Sequence, residues 1–219
     1  MDSSASDPPV VVGITGASGS AIAGHLLDAL AADRIPVALV ATPAGRAVLR
    51  EECGYSLDRF RRPGLVEYSD SDLAATIASG SRPTRGMAVV PCSANTVAKI
   101  AHGLSDTLLT RAAHVHLKER RRLVLMPRET PLSPILLRNL TTLAEVGVAI
   151  VDPAPAFYLK PTTVDEITRY LAGKVLEQLG LPQRLYRGWK EERACTTIGP
   201  RGAGSSRCPG SGLRCCSWP

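Results

Sequence analysis

The sequence predicts an α/β domain of three layers, a mostly parallel sheet with helices on both faces. Three observations carry that prediction. The strand-like runs are continuously apolar rather than alternating, the mark of strands buried on both faces. Amphipathic helical stretches separate one run from the next. Nearly every run ends in glycine, proline or small polar residues, where such folds place their ligands. At 219 residues, the chain is long enough for one domain with a substantial core and short for two.

The elements follow in order. VVVGIT (10–15) is the first strand, and after glycine punctuation a helix runs from Ser20 to Ala32. IPVALVAT (35–42) is the second strand, followed by a short helix over Ala44–Cys53. The polar stretch Gly54–Asp70 reads as a loop, and Asp72–Ser79 as another short helix. GMAVVPC (86–92) is the third strand, leading into helices over Ala94–His102 and Asp106–Leu117. LVLMP (123–127) is the fourth strand and Pro134–Val146 a helix; VAIVDP (148–153) is the fifth strand and Val164–Leu179 the closing helix.

Composition narrows the function classes. No apolar run reaches the length of a transmembrane span. Residues 1–9 are polar and acidic, read as a flexible N-terminus without the basic and apolar regions of a secretory leader, which predicts a cytoplasmic protein. With 4% aromatic residues the chain has little with which to stack nucleobases. Net charge is +6, and Arg201, Arg207 and Arg214 carry half of it in the Gly/Ser/Arg/Cys-rich tail of residues 190–219. That tail has no periodicity and is expected to be disordered, leaving 10–189 as the domain. It also holds Cys195, Cys208, Cys215 and Cys216, whose spacing fits neither a zinc site nor a disulfide framework. Cys53 and Cys92 in the domain are read as reduced, and Cys92 as a small core residue.

Polar residues gather at the strand ends. Gly13-Ile14-Thr15-Gly16-Ala17-Ser18-Gly19 lets a backbone approach closely and leads to helical N–H groups that suit an anion. The same turn serves equally as a tight structural connection. Its spacing is not the dinucleotide fingerprint, and the second strand ends in Thr42 rather than an acid, so a mononucleotide or phosphate fits better than NAD. Ser93, Asn95 and Thr96 open the helix after the third strand, where they can meet a ligand or cap the helix. Arg128 and Glu129 close the fourth strand as a candidate proton-transfer group beside a cation, or as part of an ion-pair network. Arg120–Arg122 is read as a solvated basic face. Tyr158 lies on a loop after the fifth strand, and Lys174 in the last helix reaches a phosphate or snorkels to solvent. His114 and His116, two apart, face different sides of a helix, so no metal site is expected.

Four segments together resemble the UbiX family of flavin prenyltransferases: GITGASGS (13–20), PCSANTVAKIAHG (91–103), LTRAAHVHLKERRRLVLMPRETPLS (109–133) and PAFYLKP (155–161). The resemblance implies a Rossmann-like flavoprotein domain assembled as a dodecamer, with active sites where subunits meet. It implies a metal-independent reaction in which dimethylallyl monophosphate prenylates reduced FMN at N5 and C6, and delivery of the prenylated FMN to a UbiD-type decarboxylase. Carried over by motif, Gly16, Ala17, Ser18, Thr42, Ser93, Thr96 and Arg111 contact the flavin. Glu129 is the catalytic glutamate, with Ser18 relaying protons and Lys118 assisting catalysis. Lys118, Arg128, Tyr158 and Lys174 grip the substrate phosphate, and Glu52 lies near that pocket.

Some positions depart from the family pattern. Lys174 stands where the family has an arginine, keeping charge but losing the bidentate fork. Thr107 and His114 replace an asparagine and an aspartate. A rival reading is an FMN-dependent cysteine decarboxylase, to which PCSANT is similar and in which Asn95 would hold the substrate carboxylate. That family needs a histidine between the second and third strands, and this chain has none between residues 26 and 101. A flavin-binding subunit of a decarboxylase without chemistry of its own is the other alternative. Nucleic-acid binding fits the charge but not the buried strand threaded through the basic segment.

Overall fold

The structure, a computed structural model, describes residues 7–188. Six strands form one sheet: β1 (Val10–Ile14), β2 (Val37–Ala41), β3 (Leu65–Ser69), β4 (Gly86–Cys92), β5 (Leu123–Pro127) and β6 (Ala149–Ile150). All pair in parallel, in the order β3-β2-β1-β4-β5-β6. That is the order of doubly wound nucleotide-binding sheets, and it reverses direction between β1 and β4. The helices are α1 (Ser20–Ala32), α2 (Pro43–Cys53), α3 (Ala94–Ala101), α4 (Leu108–Lys118), α5 (Pro134–Glu145) and α6 (Val164–Leu179).

The continuous apolar strands divide the core in two. Val10, Val12 and Ile14 pack with Leu26, Leu30, Leu49 and Leu176 under α1, α2 and α6. Val11, Met87 and Val89 pack with Ile100, Leu109 and Leu136 under α3, α4 and α5. Because successive strand side chains point to opposite faces, a strand that is apolar throughout supplies both layers. Side-chain caps fix where the helices begin at the site's end of the sheet: Thr42, Ser93, Thr107 and Ser133 each accept a first-turn N–H.

Three expectations from the sequence are corrected. The stretch Gly54–Asp70 is not all loop, since it contains a 3-10 turn at Leu57–Phe60 and the edge strand β3. Leu-Val-Glu-Tyr-Ser is only half buried, and its short polar pattern hid it. Asp72–Ser79 is no helix beyond a 3-10 turn at Thr76–Ala78, because Asp72 spends its carboxylate on the Ala74 N–H at 3.1 Å. The last strand is short: only Ala149–Ile150 pair regularly with β5, although the Val151 N–H still reaches the Leu125 carbonyl at 2.9 Å. The tail's cysteines and arginines lie outside the described residues.

The basic cluster is exposed at Arg120 and Arg122, as a solvated face would be, with Arg121 partly buried, yet two of its guanidiniums also make specific bonds. Arg121 donates to the carbonyls of Gly80 at 2.6 Å and Arg82 at 2.7 Å, and Arg122 to that of Leu179 at 2.7 Å. These guanidiniums fasten loops at the amino end of the sheet. His116 is fully buried, between the Ala112 carbonyl at 2.8 Å and the Thr84 hydroxyl at 2.8 Å, and burial pushes its pKa down. Among the described residues no group of three His, Cys, Asp or Glu side chains is arranged to hold a metal, and no helix is long and apolar enough to cross a membrane.

Candidate functional site

The switch point between β1 and β4 is held together by one buried side chain. Thr15 donates its hydroxyl to the Pro91 carbonyl at 2.9 Å, accepts the Ser93 N–H at 2.7 Å, and sends its own N–H to Pro91 at 3.2 Å. It thereby sets the distance between the glycine-rich turn and the start of α3. In the sequence the only signal of this role is a threonine closing a β-branched run immediately before glycine.

Close packing fixes the turn on its other side. A Cβ on Gly16 would lie 2.6 Å from that of Ala44, and a Cβ on Gly45 would lie 2.6 Å from the Ile14 carbonyl oxygen. The first turn of α2 therefore rests directly on the end of β1. Thr42 caps that helix, its hydroxyl accepting the Gly45 N–H at 3.0 Å. Gly19 takes φ of 106°, which reverses the chain into α1. Gly16 and Ser18 are exposed, while Ala17 is buried.

The anion position at the α1 N-terminus is filled from within the chain. Glu52 accepts the Gly19 N–H at 3.0 Å and the Ser20 N–H at 2.8 Å. Partial burial pushes its carboxyl up. The hydrogen bonds from Ser18, Ser20 and Gly19 outweigh that effect and hold it below the ordinary glutamate value. Ser18 and Glu52, expected near one pocket, are thus in direct contact.

On the β4 side, Ser93 is a helix cap, accepting the Thr96 N–H at 3.3 Å and sharing a hydrogen bond with the Thr96 hydroxyl at 3.0 Å. Asn95 is exposed beside it. Cys92 is completely buried and its thiol is pushed far up by desolvation, as a core residue rather than a nucleophile. Cys92 pairs with Pro127 across β4 and β5, which brings exposed Arg128 and Glu129 alongside Ser93. Arg111, on the first turns of α4, sends its Nε to the Ala78 carbonyl at 3.1 Å. Thr107 caps α4, and burial lowers the pKa of His114 farther along that helix.

Two groups lie away from this cluster. Tyr158, on the 3-10 turn Phe157–Leu159, is close enough to Lys174 and Tyr170 on α6 to interact with both electrostatically. Lys174 pairs with Glu177 at 2.5 Å. Lys118 stands at the opposite end of the sheet from Glu129. It ends α4, pairs with Glu119 at 2.7 Å, and would meet a Cβ on Gly80 at 2.8 Å, beside the loop that precedes β4. Because α4 runs down to the start of β5, the five residues of that strand separate Lys118 from Glu129 by about 16 Å.

Comparison with known proteins places this arrangement. The Flavoprotein family model matches residues 2–175. The flavin prenyltransferase UbiX of Deinococcus radiodurans is 40% identical over 195 residues, covering 89% of this chain and 100% of that protein. Among solved structures, the dodecameric FMN-dependent UbiX-like decarboxylase of Escherichia coli O157:H7 superposes with a TM-score of 0.80 at 43% identity, covering 83% of this chain and 99% of that one. AnUbiX (PadA1), solved with FMN and dimethylallyl pyrophosphate, gives 0.78 at 37% identity, covering 84% and 99%. With the glycine-rich turn, the capped α3 and the Arg128–Glu129 strand end all at one switch point, this chain belongs to the flavoprotein family and, within it, to the UbiX flavin prenyltransferases.

Proposed function

We propose that the chain prenylates reduced FMN with dimethylallyl monophosphate and releases prenylated FMN to a UbiD-type decarboxylase. The observation that carries this reading is the convergence at the switch point of an exposed glycine-rich turn, paired hydroxyls and an exposed carboxylate. Those residues fit a flavin: exposed Gly16 leaves room for close approach, and Ser18, Thr42, Ser93, Asn95 and Thr96 offer donors and acceptors along its polar edge. Arg128, and Arg111 where its guanidinium is not spent on Ala78, supply charge for the flavin phosphate or the substrate phosphate.

Bound reduced flavin supplies the nucleophile, and the allylic carbon–oxygen bond of the substrate breaks as phosphate departs. Lys118, Lys174 and Tyr158 hold that phosphate, and their charge and hydrogen bonds stabilise the negative charge that grows on it. Glu129 takes the proton released during ring closure, with Ser18 and its partner Glu52 relaying protons on the other side of the site. Since Lys118 and Glu129 stand at opposite ends of the sheet within one protomer, the complete site draws Lys118 from another copy. A homo-oligomer, a dodecamer like the similar protein of Escherichia coli O157:H7, is therefore the working form, and we place it in the cytoplasm.

The cysteine decarboxylase reading has no histidine to use between residues 26 and 101, and Cys92 is sealed in the core. The test is anaerobic incubation of the protein with reduced FMN and dimethylallyl monophosphate, followed by mass spectrometry of the flavin. A gain of one C5H8 unit is expected; FMN bound but unchanged would instead mark a non-catalytic flavin-binding subunit. Glu129→Gln is expected to keep FMN affinity while prenylation falls by about 100-fold or more, the usual loss for a removed acid–base group.

A further inference from the structure

The segment from Leu181 to Arg187 returns from the end of α6 and lays Tyr186 back on the helix. Its seat is built. A Cβ on Gly173 would come within 2.7 Å of two carbons of the Tyr186 ring, so only glycine leaves space for it. Tyr170 meets the same ring edge-on, with centroids 4.7 Å apart. Gln183 ties the turn that presents it, its amide oxygen accepting the N–H groups of Leu185 at 3.0 Å and Tyr186 at 3.2 Å. Arg184 anchors the segment to Asp33 at 3.0 Å.

The Tyr186 hydroxyl donates to one oxygen of the Glu177 carboxylate, and Lys174 Nζ donates to the other at 2.5 Å. Each oxygen thus has its own donor, and the carboxylate is fixed in direction. A lysine ammonium on its flexible stem carries large rotamer entropy, and it lacks the preorganised fork of an arginine. Ordering it beforehand removes a cost that phosphate binding would otherwise bear. One donated hydrogen bond leaves two of the three N–H donors of Lys174 for a phosphate.

We propose that Tyr186 and Glu177 are positioning residues for the substrate phosphate, holding the Lys174 ammonium in its binding orientation. This rests on reading Lys174 as a phosphate ligand. The chain Gly173 seat, Tyr186, Glu177, Lys174 makes the segment after α6 a working part of the site.

The experiment measures steady-state kinetics of the full-length oligomer with reduced FMN and dimethylallyl monophosphate, for Lys174→Ala, Glu177→Gln, Tyr186→Phe and the Glu177→Gln/Tyr186→Phe double variant. Inorganic phosphate serves as a competitive probe. Glu177→Gln is expected to raise KM and the phosphate inhibition constant about threefold to fivefold, the range of a half-exposed ion pair. kcat should stay within about twofold and FMN affinity unchanged, a split that general loss of structure would not produce. Tyr186→Phe, which keeps the ring in its seat, should act in the same direction by a smaller factor. The double variant should be no worse than Glu177→Gln, because both act through one ammonium. Gly173→Ala should reproduce the Tyr186→Phe effect without a fall in kcat. If Lys174→Ala raises KM while Glu177→Gln and Tyr186→Phe leave it unchanged or lower it, the positioning role is overturned and the phosphate role of Lys174 stands. If Lys174→Ala itself leaves KM unchanged, the phosphate reading fails and this inference fails with it.

Discussion

The switch point and the flank of α6 both gather polar side chains, but they hold them by different means. At the switch point the groups are bound to backbone: Thr15 bridges Pro91 and Ser93, Thr42 caps α2, Ser93 caps α3, and glycines bring strand and helix into contact. On the flank, Lys174, Glu177 and Tyr186 are bound to one another, with the Lys174 and Glu177 side chains each 34% exposed. Backbone partners within a packed core are preorganised by the fold itself. Side chains joined at the surface are ordered only by weak, screened interactions. The difference separates a scaffold from a grip: damage to the first should appear as lost stability, and damage to the second as weakened binding.

The sharpest way to break this contrast is Gly45→Ala. Its methyl group would face the Ile14 carbonyl oxygen at 2.6 Å and the Ile14 carbonyl carbon at 2.9 Å, so α2 must shift off β1. A loss of about 3 kcal/mol in denaturant unfolding is expected, with FMN affinity falling alongside, as overpacking against backbone costs. Full stability in this variant would show that the turn is not preformed. Thr15→Val comes next. It keeps the shape but strands the Ser93 N–H and leaves the Pro91 carbonyl with only the residue-15 N–H, for an expected cost of about 1–2 kcal/mol, while Lys174→Ala on the flank should stay within about 0.5 kcal/mol of wild type.

The smallest effect concerns pH. The Glu52 carboxyl is held below its ordinary value in the folded protein, so its contribution to stability is present above the unfolded value and is lost as pH falls through the folded one. Glu52→Gln should therefore be less stable than wild type at neutral pH, and the two should converge in acid. A difference between them that persists unchanged into strong acid would remove Glu52 from the α1 N-terminus. The stabilities of all four variants are read by chemical unfolding, that of Glu52→Gln as a pH series.

Much of the scaffold was legible in sequence. β1, α1, β4, α3, β5 and α6 carry undiluted periodicity and recognisable ends, so their positions agree with the structure to within a residue or so. β3 was hidden because an edge strand buries one side only and borrows its register from β2 through the pairs Val37–Leu65 to Ala41–Ser69. Some candidate site residues, Thr42, Ser93, Arg128 and Glu129 among them, were legible as types at strand ends. The Ser93 cap is local and was legible too, but Arg111 on the Ala78 carbonyl and Glu52 in the α1 anion position were not, because they depend on contacts between segments far apart in the chain.

By itself, the sequence determined that β-branched runs would lie side by side in a parallel sheet, and that glycine, serine and glutamate would sit where those runs stop. Local propensity and burial are sufficient for that, because each acts within a few residues. Only the tertiary structure decided which of those residues meet. Lys118 and Glu129 are near neighbours along the chain, yet α4 descends before β5 climbs, so the strand's full length separates them. Thr15 and Pro91, distant in sequence, are joined by a 2.9 Å hydrogen bond. Parallel connections carry the chain back across the sheet before each strand, and that return path, rather than sequence distance, sets the composition of the site.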